Sequence, residues 1–418
     1  MNLKLFITSI ILVFSLYFFL EAKTIYAVEN PLASPNNPFG IHILEEDDLE
    51  DAAALVNSSG GDWGYITLVI RKDERDSERW QKVFDRMRRL HLIPIVRIAT
   101  RQEDSRWEKP VFDEIDGWVS FLNSLNWVTK NRYVIIGNEP NHAKEWGGEV
   151  NPSEYAAYLK TLLTRLKGTS DDFFILPAGL DASAPNDREH MSETLFLNKM
   201  LESTPDVFDR IDGWTSHSYP NPKFSGSETA TGPGTIRTFE WELDILKKLG
   251  IKKELPVFIT ETGWAHEVDG QKNGYKASES IANALKNSFT DPWKDKRIVA
   301  VTPFVLDYKD APFDIFSWKK PGGSFYPFYY EVQKMEKLKG EPIQVTSGKI
   351  LVVVFPSILK RHGKNFGLAY IKNTGQAIWS AGKLTKISDG LLQFEIEPIL
   401  LSNTEPNQNA LVFFRVSS

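Results

Sequence analysis

From residue 39 to residue 338, short runs of apolar and β-branched residues alternate with longer stretches in which apolar positions recur every three or four residues. The first pattern marks buried strands and the second amphipathic helices. Eight runs read as strands: FGIHI (39–43), WGYITLVI (63–70), IPIVRIA (93–99), YVIIG (133–137), FFILPAG (173–179), GWTSHSY (213–219), PVFIT (256–260) and IVAVTPFVL (298–306). Helical patterns fall between them. Residues 77–90 carry Trp80, Val83, Phe84 and Met87 on one stripe, and residues 151–168 open with Pro152 and meet Gly168 at their end. Residues 238–250, 277–289 and 326–338 continue the series. Eight such units in about 300 residues predict an α/β fold, a closed (β/α)8 TIM barrel. A doubly wound open sheet competes, but the Gly-rich phosphate loop that often accompanies it is missing.

Past Leu338 the pattern changes. Residues 339–348 read as a linker, followed by KILVVVF, FGLAYIKNTG, QAIWS, LLQFEIEPIL and ALVFFRV with Asn, Gly, Ser and Pro turns between them. Short strand-like runs without a long helix predict a small all-β sandwich over 341–418. At the other end, Lys4 precedes an apolar run from Leu5 to Leu20, and a polar stretch leads to the small residue Ala27. The run falls short of the roughly 20 residues of a spanning helix. Residues 1–27 are therefore expected to be a signal peptide, with an uncleaved membrane anchor as the other reading. Either way the barrel, over 28–340, is expected to be exported, secreted or held at the outer face of a membrane.

Composition narrows the function classes. Against 49 Lys and Arg stand 55 Asp and Glu, a net charge of −6, which disfavours nucleic acid as a partner. The basic cluster at 85–91 falls on the wet face of a helical pattern. There is no cysteine, so disulfides, thiolate ligands and a cysteine nucleophile are excluded. Seven histidines without an H-E-x-x-H spacing give no sign of a metal site, and no cofactor is expected.

The candidate chemistry lies at two strand ends. The fourth apolar run stops at Asn138-Glu139-Pro140, and the seventh at Thr260-Glu261-Thr262-Gly263-Trp264. Loops after parallel barrel strands share one face, and strands four and seven lie across the mouth from each other. Two carboxyl groups facing each other over a groove are the apparatus of glycoside hydrolysis. One donates a proton to the departing sugar oxygen while the other stays ionised. A separation of about 5–5.5 Å gives retention through a covalent intermediate, and a wider one gives inversion.

The stretches IIGNEPNH and FITETGW resemble the acid/base and nucleophile strands of the (β/α)8 clan of retaining glycoside hydrolases, clan A. The resemblance covers residues 39–335. It implies that Glu139 is the general acid/base, Glu261 the nucleophile, and Asn138 a ligand of the sugar 2-hydroxyl. His217 and Tyr219, in TSHSYP, match a His-x-Tyr that the clan often carries on strand six, with the Tyr hydroxyl on the nucleophile. Members also hold the nucleophile ionised with an Arg, and here Arg71 and Arg97 both stand on the appropriate side. The eighth strand departs from the pattern. Many members end it with a Trp under the sugar, where VTPFVLDYKD offers Phe304, Asp307 and Tyr308.

Trp264 and Trp318, in the loops after strands seven and eight, are candidate stacking platforms, with Trp107 and Trp146 next. Trp379, within NTGQAIWS, resembles a signature of Ig-like accessory domains and reads as core. The expected activity is hydrolysis of β-linked oligo- or polysaccharides by double displacement. The alternative is a catalytically inactive carbohydrate-binding or surface-attached barrel protein. A barrel lyase or aldolase would want a strand-end Lys or a metal cluster, and neither is evident.

Overall fold

The computed structural model of the chain describes residues 28–267, 274–355, 364–383 and 395–417. Residues 1–27, expected from the sequence to be a signal peptide or membrane anchor, lie outside the described residues. Eight parallel strands form the barrel: β1 (Gly40–His42), β2 (Gly64–Arg71), β3 (Leu92–Ala99), β4 (Arg132–Ile136), β5 (Phe173–Pro177), β6 (Trp214–His217), β7 (Val257–Glu261) and β8 (Ile298–Val301). They pair in the orders β1-β2-β3-β4-β5 and β8-β7-β6. At one seam Val301 N donates to Pro38 O at 2.8 Å, and Phe39 bridges Val301 in parallel. At the other, Asp212 N donates to Ile175 O at 2.9 Å, and its carboxylate accepts from Ile175 N at 2.8 Å.

Both faces of each strand are covered, which is why most of the runs are apolar on both faces rather than alternating; β6 departs from this, with Thr215, Ser216 and His217 all buried. Tyr65, Ile93, Ile95, Tyr133, Ile135, Phe174, Leu176 and Phe258 fill the barrel interior. Their sequence neighbours, such as Ile66, Val96, Val134, Ile175 and Val257, pack outward against the helices. Those helices are α1 (Leu49–Val56), α2 (Ser77–Arg89), α3 (Ile115–Ser124), α4 (Pro152–Thr169), α5 (Glu193–Ser203), α6 (Thr238–Lys248), α7 (Ser278–Thr290) and α8 (Pro327–Lys334). Asp76 caps α2 by accepting from the Glu78 and Arg79 amides. Asn151 caps α4 ahead of Pro152. That helix runs through Gly168 to Thr169 rather than stopping before the glycine.

The described residues of the C-terminal unit are all β. Its described strands β9 (Gly348–Val354), β10 (Lys364–Asn373), β11 (Gly382–Lys383), β12 (Glu395–Leu400) and β13 (Asn409–Ser417) form one antiparallel sheet in the order β9-β10-β13-β12-β11. Ala369, Leu400, Ala410 and Val412 are its buried side, with Ile371, Trp379 and Phe414 against them. It holds the barrel through Asn126 Nδ2 to Gly375 O at 2.9 Å and Gln376 Nε2 to Thr129 O at 2.8 Å. Residues 126–129 precede β4, so this unit sits at the end opposite the strand termini and leaves the mouth free.

Outside the barrel wall, α5 and α6 bring two fully buried carboxyl groups together behind β6. Glu193 is 1% and Glu242 0% exposed, and Trp214 Nε1 donates to Glu242 Oε2 at 3.1 Å. Burial, then the neighbouring Glu242, pushes Glu193 well above the carboxylate range. Burial lifts Glu242 to about 7 against the donors around it. Both folded-state values are raised, so their contribution to stability is complete below the unfolded pKa and is lost as pH rises through the folded one. Glu242→Gln is therefore expected to raise the melting temperature at pH 8, by the equivalent of about 3 kcal/mol, and to change it little at pH 5. Equal shifts at both pH values in thermal melts would show that the pair does not titrate.

Candidate active site

The strand ends deliver their polar groups through specific local geometry. After β4, Gly137 adopts φ 90°, a conformation that strains any residue with a Cβ. The chain then turns so that Asn138 and Glu139 reach the mouth. Glu139 itself sits at φ 32°, at a cost on the order of 1 kcal/mol. Its amide donates to Gly179 O at 3.0 Å. Tyr155, from α4, ties the two neighbouring strand ends by donating to Ile136 O and accepting from Ala178 N.

On β7 the inward residues are set by Phe258, so strict alternation would turn Thr260 inward and Glu261 outward. The pairing of β6 with β7 slips by one residue, from Ser216 opposite Ile259 to His217 opposite Glu261. This bulge re-aims Glu261 into the mouth beside His217. The same logic separates the two arginines. Arg97 follows Ile93 and Ile95 in the inward phase of β3 and pairs with Val69. Arg71 pairs with Ala99, one inward step higher, beyond the rim.

The resulting cluster is compact. His217 Nδ1 lies 2.9 Å from Glu139 Oε1 and 3.9 Å from Glu261 Oε2. Tyr219 donates its hydroxyl to Glu261 Oε2 at 3.1 Å. The Arg97 guanidinium donates to Glu261 Oε1 and, at 2.6 Å, to Asn138 Oδ1. Asn138 Nδ2 in turn donates to Glu145 Oε2 at 3.2 Å. One donor atom from each of Glu139, His217 and Glu261 falls within 4.8 Å of the other two. These three atoms could surround a cation, but the Arg97 charge already held by Glu261 opposes one there.

Electrostatics fixes the charge of Glu261 and of the groups around it. Burial works to raise Glu261, but the charges of His217 and Arg97 outweigh it and bring the group down to about 2. Burial likewise works to lower His217, yet Glu261 and Glu139 raise it overall. Tyr219 is pushed well above its ordinary value by burial and then by the two carboxylates, so it remains a donor. His42, at the end of β1, is lowered to about 3 by burial and Arg97 and stays neutral.

Of the residues singled out in the sequence, the structure brings Glu139, Glu261, Asn138, His217, Tyr219 and Arg97 together and places three elsewhere. Arg71 is exposed outside the mouth, paired with Asp73 at 3.5 Å and Glu74 at 3.1 Å. Trp264 is 3% exposed and donates from Nε1 to Gly226 O at 2.8 Å. Trp318 is equally buried, against Phe328. Neither indole presents a face for stacking, because both loops fold back into the core. A pocket does open beside Arg97 and Asn138 under the loops after β3 and β4, lined by Thr100, Trp107, Glu145 and Trp146 and backed by Trp118 and Tyr158 from the helices. On the other side, half-buried Phe304 and Tyr308 cluster with Tyr219 around Phe316.

Three site residues escape the sequence reading. Glu145 stands in a loop with no periodicity to mark it. His42 looks like one more position of an apolar strand. Gly179 is required by a close approach, since a Cβ there would lie 2.2 Å from His217 Cδ2.

No family model matches this sequence, and no curated relative matches it. Solved structures do match. A family 39 glycoside hydrolase from the gut symbiont Bacteroides cellulosilyticus WH2 aligns with TM-score 0.50 at 15% identity, over 93% of this chain and 82% of that one. A monomeric β-xylosidase from Caulobacter crescentus CB15 aligns with TM-score 0.46 at 12% identity, over 92% and 98%. A β-mannanase from Thermomonospora fusca aligns with TM-score 0.45 at 13% identity, over 72% and 91%. At such identities the first of these likenesses concerns fold alone, and the fold is an α/β barrel followed by a small β domain.

Proposed function

We propose that the protein is a retaining glycosidase that cleaves β-linked oligo- or polysaccharides outside the cytoplasm. The observation that carries this reading is the approach of the Glu139 and Glu261 carboxyl groups to within 4.8 Å, inside a cluster that keeps one of them ionised. That spacing suits retention, since an inverting pair stands about 6.5–9.5 Å apart to admit a water.

Glu261 attacks the anomeric carbon while Glu139 gives its proton to the glycosidic oxygen, so the C–O bond to the leaving group breaks as the ester to Glu261 forms. Glu139, now a carboxylate, takes a proton from water, and the hydroxide attacks the same carbon and releases Glu261. Arg97 and Tyr219 hold Glu261 as an anion between turnovers. His217, on Glu139 Oε1, offers the acid/base a partner in both of its protonation states. Asn138 binds the sugar 2-hydroxyl, a contact that strengthens as positive charge develops on the ring. Trp107, Phe304 and Tyr308 take the stacking role expected of Trp264 and Trp318. An inactive carbohydrate-binding barrel would have no use for two facing carboxyl groups, one of them held ionised by Arg97 and His217.

Purified protein should turn over members of a panel of aryl β-glycosides, and proton NMR should detect the β-anomer of the free sugar first. First appearance of the α-anomer would mean inversion. No turnover of any aryl glycoside or β-glucan, xylan or mannan would leave the binding reading in its place.

A further inference from the structure

Glu145 takes no part in the two displacement steps, and its placement calls for a reason. Its side chain is 10% exposed, and burial followed by the charge of Glu139 raises its pKa. Its ion-pair contact, with Lys144 Nζ, is loose at 3.9 Å. Burying a carboxyl with so little cationic compensation is costly unless its hydrogen bonds serve something. Among the described residues, the side-chain hydrogen bond it makes is the one from Asn138 Nδ2.

The loop that carries it is firmly held. Ala143 N donates to Glu189 O at 2.8 Å, and Glu145 N to His142 O at 3.0 Å. The next residue, Trp146, is 2% exposed, packs edge-on against Tyr155 and Tyr158, and donates from Nε1 to Glu154 Oε2 at 3.0 Å. Glu145 is thus presented to Asn138 from a rigid base.

We propose that Glu145 is a positioning residue that, with Arg97, clamps the Asn138 amide so that its remaining N–H points at the sugar 2-hydroxyl. Asn138 Oδ1 accepts from Arg97 at 2.6 Å and Nδ2 donates to Glu145, so both ends of the amide are engaged and a flipped amide would face a donor with a donor. The two anchors differ over the catalytic cycle. Arg97 is shared with Glu261, whose charge vanishes when it is esterified, so the grip of Arg97 changes at each step. Glu145 makes no contact with Glu261 and keeps its hold throughout. It follows that Glu145 acts on turnover through one substrate hydroxyl.

This inference rests on the glycosidase reading, and the experiment separates the two. An aryl β-glycoside and its 2-deoxy counterpart are compared in wild type, Glu145→Ala, Glu145→Gln and Asn138→Ala, with circular dichroism and melting temperature as folding checks. Glu145→Ala should lower kcat on the 2-hydroxy substrate roughly ten- to hundredfold, with a small change in KM, and leave the 2-deoxy substrate within about twofold. Asn138→Ala should show the same selectivity. Glu145→Gln, which keeps an acceptor oxygen, should recover most of the loss. Equal losses on both substrates, or none on either, would overturn the positioning role while leaving the glycosidase reading intact. A wild type inert toward every glycoside would overturn both.

Discussion

Glu261→Ala is expected to lower kcat on an aryl β-glycoside by on the order of 10^4-fold or more, the scale on which an enzyme loses a nucleophile. Azide should then restore part of the rate with an activated leaving group, and the product should be the α-glycosyl azide. The physical reason lies in what the substitution leaves behind. Arg97, Tyr219 and His217 converge on the missing carboxylate and form a cationic, donor-rich pocket the size of a small anion. Azide bound there would meet the anomeric carbon from the face proposed for Glu261, and with no second displacement the configuration would be inverted. Mass spectrometry and NMR of the product identify it. Near-normal hydrolysis by this variant would end the assignment of Glu261.

How far the fold and the site were legible in the sequence depends on what each feature requires. Most of the barrel strands announce themselves because parallel strands are buried on both faces and hold few polar positions; β6, where Thr215, Ser216 and His217 are all buried, is the weakest signal. Three helices do not. α1 is short, and its run of three alanines blurs the period. α3 carries Gly117, where the missing Cβ admits the Arg75 guanidinium. α5 inverts the pattern, with Glu193 buried and Leu195 39% exposed.

The two glutamates are legible because each ends a buried run with a charge. What brings them together is not. The one-residue slip at Thr260 that turns Glu261 inward is a property of pairing with β6, and no local signal marks it. The choice between Arg71 and Arg97 turns on a register difference of two residues. Trp264 and Trp318 look available in a list of loop residues, yet both loops return to the core, where large rings bury more area than they would over a groove. Stacking surfaces are set by loop conformation, the level at which sequence patterns carry least information.

The second large effect is expected at Glu139, and it should depend on the leaving group. Glu139→Ala removes the proposed proton donor but leaves Glu261 ionised and aimed, so the first displacement should fail only where the departing oxygen needs a proton. For an oligosaccharide the loss should be about 10^2–10^4-fold, the range for general acid catalysis. For a dinitrophenyl glycoside, whose leaving group departs without help, the first step should stay near the wild-type rate. Release of the glycosyl-enzyme should then limit turnover, because water has lost its base, and a burst of dinitrophenol should precede a slow steady state. Azide needs no base, so it should speed that steady state and give the β-glycosyl azide, the opposite anomer from Glu261→Ala. The two variants thus assign the roles separately. If azide gave the α-product with Glu139→Ala and the β-product with Glu261→Ala, the nucleophile and the acid/base would have to be exchanged. The ionised state of Glu261 beside Arg97 and His217 would then need another purpose. Should leaving-group acidity make no difference to Glu139→Ala, proton donation by Glu139 would be excluded, whatever the distance between the two carboxyl groups.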